Sequence, residues 1–327
     1  MPESPAPPWP WTDTGALRFD RFMDRALHDP QRGYYARRIR GVGRGGDFTT
    51  TPMMSGALAR AIAAWIVKTG ERHVIEIGPG EGRLAADVMK ALPWWTRLRT
   101  KLHLVERSVP LREKQQALLG KNVRWHDTME EALEACGQSA AIYSNELIDA
   151  FPVRRFRKTE SGWDELFLQP DGPTESWQPA GELPCSSSFK QPHRVGQIIE
   201  VHESAHDWIR QWTMMNWGSG QMLVIDYGEE TETLYHRRPH GTLRGYLMQQ
   251  RIEGSAVYQN AGRQDLTADV NFTDLETAVA PGVHHTRLMT QRDFLLPHID
   301  PQNPADAALV DPNGAGSAFK VLRVIKV

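Results

Sequence analysis

The segment Val74-Ile75-Glu76-Ile77-Gly78-Pro79-Gly80-Glu81-Gly82 holds the residue types and spacing best suited to chemistry in this 327-residue chain. A buried-strand pattern ends in Gly-x-Gly-x-Gly, and a helical pattern begins at Arg83. Glycine is needed there because the backbone must turn sharply and let a ligand approach without a Cβ in the way. A tight left-handed turn at a strand end would also ask for glycine, so the triplet alone leaves both readings open. Its neighbours narrow them. Glu106 ends the next apolar run, where a carboxylate can accept both hydroxyls of a ribose; the other reading is a surface carboxylate at a strand end. Asp127 ends the third run and can take an adenine amino group, although with Glu130 it equally reads as a helix N-cap pair. A dinucleotide site wants Gly or Ala at the last position of GxGxxG, so that a pyrophosphate can sit on the helix N-terminus. That position is Arg83. The spacing, with Glu76 inside the strand, fits S-adenosylmethionine (SAM), which carries no phosphate. Gly78, Pro79, Gly80, Gly82, Glu76, Glu106 and Asp127 are the expected cofactor residues.

Alternating elements must position these groups. Strands are predicted at 73–77, 101–106, 122–126 and 140–146, separated by helices at 83–92, 110–119 and 128–135. That alternation means βαβ units and a parallel sheet. Apolar strands at 221–228 and 319–327 follow. Before them, Phe19, Phe22, Met23, Ala26 and Leu27 share one helical face, and Met54, Leu58, Ile62, Trp65 and Ile66 share another at 53–68. Residues 153–168 read as a hairpin turning at Glu160-Ser161-Gly162, with a connection to 195. A helix at 203–217 precedes the 221–228 strand, and 229–282 reads as an insertion rather than sheet.

Composition bounds the rest. Hydrophobic residues are 40% and charged residues 24%, the profile of a globular protein rather than a disordered one. A net charge of −2 argues against a nucleic-acid partner. No apolar run reaches the roughly 18 residues of a membrane span, so no membrane partner is expected. Two cysteines, Cys136 and Cys185, exclude a disulfide framework and an all-cysteine zinc site. The leading MPESPAPPWPW shows neither an apolar core nor an arginine-rich amphipathic pattern, which predicts a cytoplasmic protein. His202-Glu203-Ser204-Ala205-His206 fits the H-E-x-x-H pattern of zinc hydrolases. Its extension fails, because Ile209 and Trp212 stand where Gly and His belong. No metal site is expected.

Several ordered blocks resemble one family. Glu-Ile-Gly-Pro-Gly (76–80), LVERSVPLREKQ (104–115) and SNELIDAFPV (144–153) are similar to the MidA family of class I SAM-dependent methyltransferases. So, in order, are DPQRGYY (29–35), GGDFTTTP (45–52), VIDYG (224–228), GTLRGY (241–246), DLTADVNF (265–272) and FKVL (319–322). The resemblance spans nearly the whole chain. It implies an α/β fold, a Rossmann-like seven-stranded sheet with helices on both faces. Residues 1–52 would be a helical segment with a cofactor-covering loop, and 53–327 the methyltransferase domain, with the connection at 153–195 and the insertion at 229–282. Mitochondrial members assemble complex I and methylate an arginine of one of its subunits, which implies an arginine-containing protein as acceptor here. The chain departs from the family at Met53, where a glutamate is usual, at 247–250, where a histidine is usual, and in the turn 253–262.

Methyl transfer asks the protein to position an acceptor and to handle a proton. Asn145, Glu146 and Asp149 follow the fourth strand, whose C-terminal end faces the crevice. Two carboxylates three residues apart on a helical turn would share a face and could hold a guanidinium. They also read as acidic residues favoured by a helix start. Asp47, Phe48, Thr49 and Thr50, which the resemblance places over the methionine end of SAM, also read as a polar turn capping the next helix. Asp226 and Tyr227 point to the crevice or form a strand-end turn. Besides arginine methylation, a SAM-binding assembly factor without catalysis, a small-molecule methyltransferase and a zinc hydrolase through His202 and His206 remain readings of the same residues.

Overall fold

The computed structural model describes residues 9–12, 15–37, 55–170, 173–215, 220–282 and 284–326. Its main sheet contains β1 (His73–Ile77), β2 (Lys101–Val105), β3 (Val123–His126), β4 (Ala141–Asn145), β5 (Gln221–Glu229), β6 (His284–Thr290) and β7 (Phe319–Lys326). Their order is β3-β2-β1-β4-β5-β7-β6. The first five run parallel, and β7 runs antiparallel to both β5 and β6. Six of these seven are the apolar runs read from the sequence. The seventh, β6, is half-exposed along its length, so HHTRLMT lacks the apolar run that marks a buried strand.

Successive side chains serve opposite faces. Val74, Leu102, Leu104, Tyr143 and Ile225 pack under α3 (Ala57–Thr69) and α4 (Arg83–Ala91). On the other face, Ile75, Ile77, Ile142 and Val224 pack against α6 (Met129–Ala135) and α7 (Glu203–Thr213). Between α4 and α6 in the chain, α5 (Val109–Leu119) carries proline in its first turn and buries Leu111 and Gln115. Both faces being covered explains why these strands read as apolar runs rather than alternations.

Near the chain start, α1 (Phe19–His28) buries the face predicted for it. It packs on Leu166, Leu168 and Leu266, and the short α2 (Tyr34–Arg37) follows. The expected hairpin forms between Arg154–Lys158 and Trp163–Gln169. It grows into an antiparallel five-stranded sheet with Leu17–Arg18, Thr174–Pro179 and Ile198–Val201. The 229–282 segment corrects the expectation of an insertion without sheet. Arg244–Leu247, Gln250–Ile252 and Asp265–Thr267 make a three-stranded sheet, and Val270–Asn271 pairs with the end of β5. These strands are two to four residues long, too short to show a period in sequence. The departures at 247–250 form a two-residue hairpin turn, with Met248 and Gln249 at φ 50° and 66°.

Candidate functional site

The chain moves from β1 outward to β2 and β3, then returns to β4 and β5 on the other side of β1. Crevices at such a reversal lie beyond the carboxyl ends of the strands. A cavity of about 1400 Å³ opens there, lined by the ends of β1 to β4, by α1 and α2, and by one face of α7. Seven carboxylates line it (Asp24, Glu76, Glu81, Glu106, Asp127, Glu130 and Glu146) against two arginines, Arg83 and Arg107.

Gly78, Gly80 and Gly82 all take left-handed backbone, at φ 62°, 54° and 81°. A Cβ on Gly78 would stand 2.7 Å from Leu147 Cδ1 in the β4 loop. One on Gly82 would press into Gln115 Cγ at 3.1 Å and Leu119 Cδ1 at 3.2 Å. Gly78, Pro79 and Gly80 therefore line the cavity, whereas Gly82 lets α4 start close against α5 and does not line it. Gln115 is a neighbour of the turn that sequence reasoning missed. Wholly buried, it donates to the Gly80 carbonyl at 2.7 Å and accepts from Trp125 Nε1 at 2.8 Å, locking the turn to β3. A glutamine at the inward position of a helix was the available signal.

Glu76 is buried at the cavity floor and accepts from Tyr143 Oη at 2.9 Å. Burial pushes its carboxyl up to about 8, so it holds a proton at neutral pH. Glu106 accepts from the Ser108 N–H at 2.7 Å, and burial raises its pKa too. Arg112, also missed, ties the strand ends together: it donates to the carbonyls of Glu106 and His126 and to Asp127 Oδ1. Asp127 is exposed beside it. The helix cap is one residue later than expected, with Thr128 accepting from the Glu131 N–H and Glu131 reaching back to the Asp127 N–H.

At the end of β4, which pairs with β1, Glu146 takes left-handed backbone at φ 51°, a rare state for a residue with a Cβ. Tyr227 Oη donates to one of its oxygens at 2.8 Å and Asn145 Nδ2 to the other at 3.1 Å. Asn145 Oδ1 is buried and has no partner among the described residues. The backbone is held by Asp226, whose Oδ2 accepts from the N–H groups of Leu147, Ile148 and Asp149 at 3.1, 2.8 and 3.3 Å. Burial and the Asp149 carboxylate push the Asp226 pKa up, against these donors. Asp149 does not share a face with Glu146. It lies behind the wall, accepting from Thr267 Oγ1 at 2.6 Å, and burial pushes it up to about 6. A 3-10 turn at Ile148–Ala150, rather than a full helical turn, directs it inward.

The N-terminal segment roofs the crevice through Tyr35. Its hydroxyl donates to the buried Asp265 at 2.9 Å, and its carbonyl accepts from Ser108 Oγ at 3.1 Å. Asp47, Phe48, Thr49 and Thr50 lie outside the described residues, as does Met53. His202 precedes α7 with non-helical φ −84° and ψ 62°, so it and His206 are not ligands one turn apart on one helix, and the zinc-hydrolase reading falls.

The cradle fits an adenosine cofactor: glycine backbone where a Cβ would collide, and an acidic wall suited to a sulfonium. Residues 57–288 match the Methyltransf_28 family, S-adenosyl-L-methionine-dependent methyltransferases. Two similar proteins are named protein arginine methyltransferase NDUFAF7, mitochondrial. The Danio rerio protein is 26% identical, with 86% of this chain and 73% of its own length covered. The Mus musculus protein is 28% identical, with 86% and 70% covered. A COG1565 superfamily structure from Burkholderia thailandensis, bound to S-adenosyl-homocysteine, superimposes with a TM-score of 0.82 at 26% identity, covering 95% of this chain and 88% of that one. The mitochondrial relatives overturn the cytoplasmic location expected from the leading MPESPAPPWPW. The lack of a recognisable targeting pattern in these eleven residues does not identify a compartment. The chain belongs to the Methyltransf_28 family and is a SAM-dependent methyltransferase.

Proposed function

We propose that the acceptor is a guanidinium nitrogen of an arginine in a partner protein. The observation that carries this reading is Glu146, a carboxylate fixed at both oxygens on the cavity wall. A carboxylate presents two acceptors in the plane that a guanidinium fork requires, and charge-assisted bonds hold it there. The excess of carboxylates around the cavity draws cations in, and the naming of the relatives as protein arginine methyltransferases supports the same acceptor. SAM supplies a methyl group on a sulfonium. Gly78 and Gly80 would lie against it, Glu106 would take the ribose hydroxyls and Asp127 the adenine amino group. Glu146 orients the guanidinium and receives the proton its nitrogen sheds. Asp226 and Tyr227 position Glu146, and Asp149 acts from behind the wall.

The test is transfer from methyl-labelled SAM to an arginine-containing protein fraction, followed by acid hydrolysis. Label is expected in methylarginine. Label found only on lysine, on carboxyl groups or in small molecules would overturn the acceptor.

A further inference from the structure

Behind the cofactor wall, three histidines cross the sheet diagonally. His73 Nδ1 faces His103 Nε2 at 3.0 Å, and His103 Nδ1 faces His126 Nε2 at 2.9 Å. Parallel pairing of β1, β2 and β3 creates this line, because Ile75 lies opposite His103 and Val105 opposite His126. Over it sits Cys136, a buried free thiol at the end of α6. Gly137 and Gln138 take left-handed backbone immediately after it and end the helix. The ligating atoms of His73, His103 and Cys136 all lie within 4.8 Å of one another.

We propose that His73, His103 and Cys136 form a binding site for a borderline-soft divalent transition metal of the zinc type. Two imidazoles and a thiolate are the donor set such ions select, and three protein ligands leave a fourth position for water. With bonds of about 2.0–2.1 Å to nitrogen and about 2.3 Å to sulfur, tetrahedral ligands stand about 3.3–3.6 Å apart, so the facing nitrogens open slightly and the sulfur closes in by about 1.2 Å at most. The half-buried His73 gives the ion a way in. His103 meets a further requirement of a ligating histidine: with Nε2 on the metal, its Nδ1–H has a fixed acceptor in His126. Burial keeps His103 neutral, with a pKa lowered to about 3, and holds the Cys136 thiol up at about 12. Binding therefore releases the thiol proton. Lys101 and Arg124 oppose a cation here and Glu71 favours it. The site joins β1, β2 and α6, and His126 leads directly into Asp127 on the cavity wall.

The test is titration of the purified full chain with Co2+ and then Zn2+. One equivalent of Co2+ should bind with a thiolate-to-cobalt charge-transfer band, which Zn2+ displaces, and the Tm should rise. Cys136→Ser should lose the band, and His73→Gln should bind Co2+ at least about tenfold more weakly. Neither residue lines the cavity, so unchanged S-adenosylhomocysteine affinity in both variants shows that the fold persists. Co2+ binding without the band, a band retained in Cys136→Ser, or no binding at one equivalent would overturn the site.

Discussion

On the proposed cofactor side of the crevice, the lining groups come from three consecutive βα units between Glu76 and Asp127, and what they offer is backbone turns and strand-end carboxylates. Three glycines adopt left-handed φ, and strand ends present carboxylates. On the proposed acceptor side, Glu146 is bonded by Tyr227, 81 residues away, and Asp149 by Thr267, 118 residues away. There the work falls to buried side chains. Burial raises the pKa values of Asp226 and Asp265, and the nearby Asp149 and Glu146 carboxylates raise them further. The difference teaches that the cofactor wall fails through backbone clash, whereas the acceptor wall fails through loss of charge or of an acceptor oxygen.

Substitutions can break this contrast, beginning with the largest effect. Glu146→Gln keeps shape and removes charge; kcat should fall by about 100-fold or more while S-adenosylhomocysteine affinity by calorimetry stays put. Full turnover would take Glu146 out of the chemistry. Asp226→Asn leaves one acceptor oxygen where two now serve, Oδ2 for the N–H groups of 147–149 and Oδ1 for that of Tyr227, which should cost about 1–3 kcal/mol of stability in denaturant unfolding. It should also lower kcat more than it raises KM for SAM, because it loosens the 147–149 backbone that follows Glu146 and the Tyr227 that bonds it; an equal change in both would argue against that route. Gly78→Ala acts on the other wall. Left-handed strain of about 1–2 kcal/mol, with the contact to Leu147, should weaken cofactor binding about tenfold. Wild-type affinity in this variant would show that the turn tolerates a side chain.

The smallest effect is a slope. Glu76 keeps its proton to about pH 8 in the fold, whereas an unfolded glutamate loses it near 4.5. Between those values the native state binds more protons, so this group's contribution to stability falls as pH rises. Glu76→Gln should therefore flatten the decline in Tm between pH 5 and 8. An unchanged slope would assign the decline to Asp265, which burial also pushes up to about 8.

Much of the cofactor wall was legible because it is local. A strand, its terminal glycines and the following helix occupy one continuous segment, and their period and turn chemistry do not depend on distant partners. Gln115 and Arg112 escaped notice because their importance lies in what they touch, not in their spacing. Spacing misjudged Asp149, since a short 3-10 turn rotates it away from Glu146. The sheet within 229–282 was hidden by strands too short to show alternation.

By itself the sequence determined the βα alternation, the glycine turn and the strand-end carboxylates, since each follows from nearest-neighbour geometry and hydrophobic period. Tertiary structure alone decided that Asp226 holds the 147–149 backbone, that Asp149 is turned inward, and that His73, His103 and Cys136 meet. Those outcomes depend on strand order and burial, which bring together residues that no local period connects.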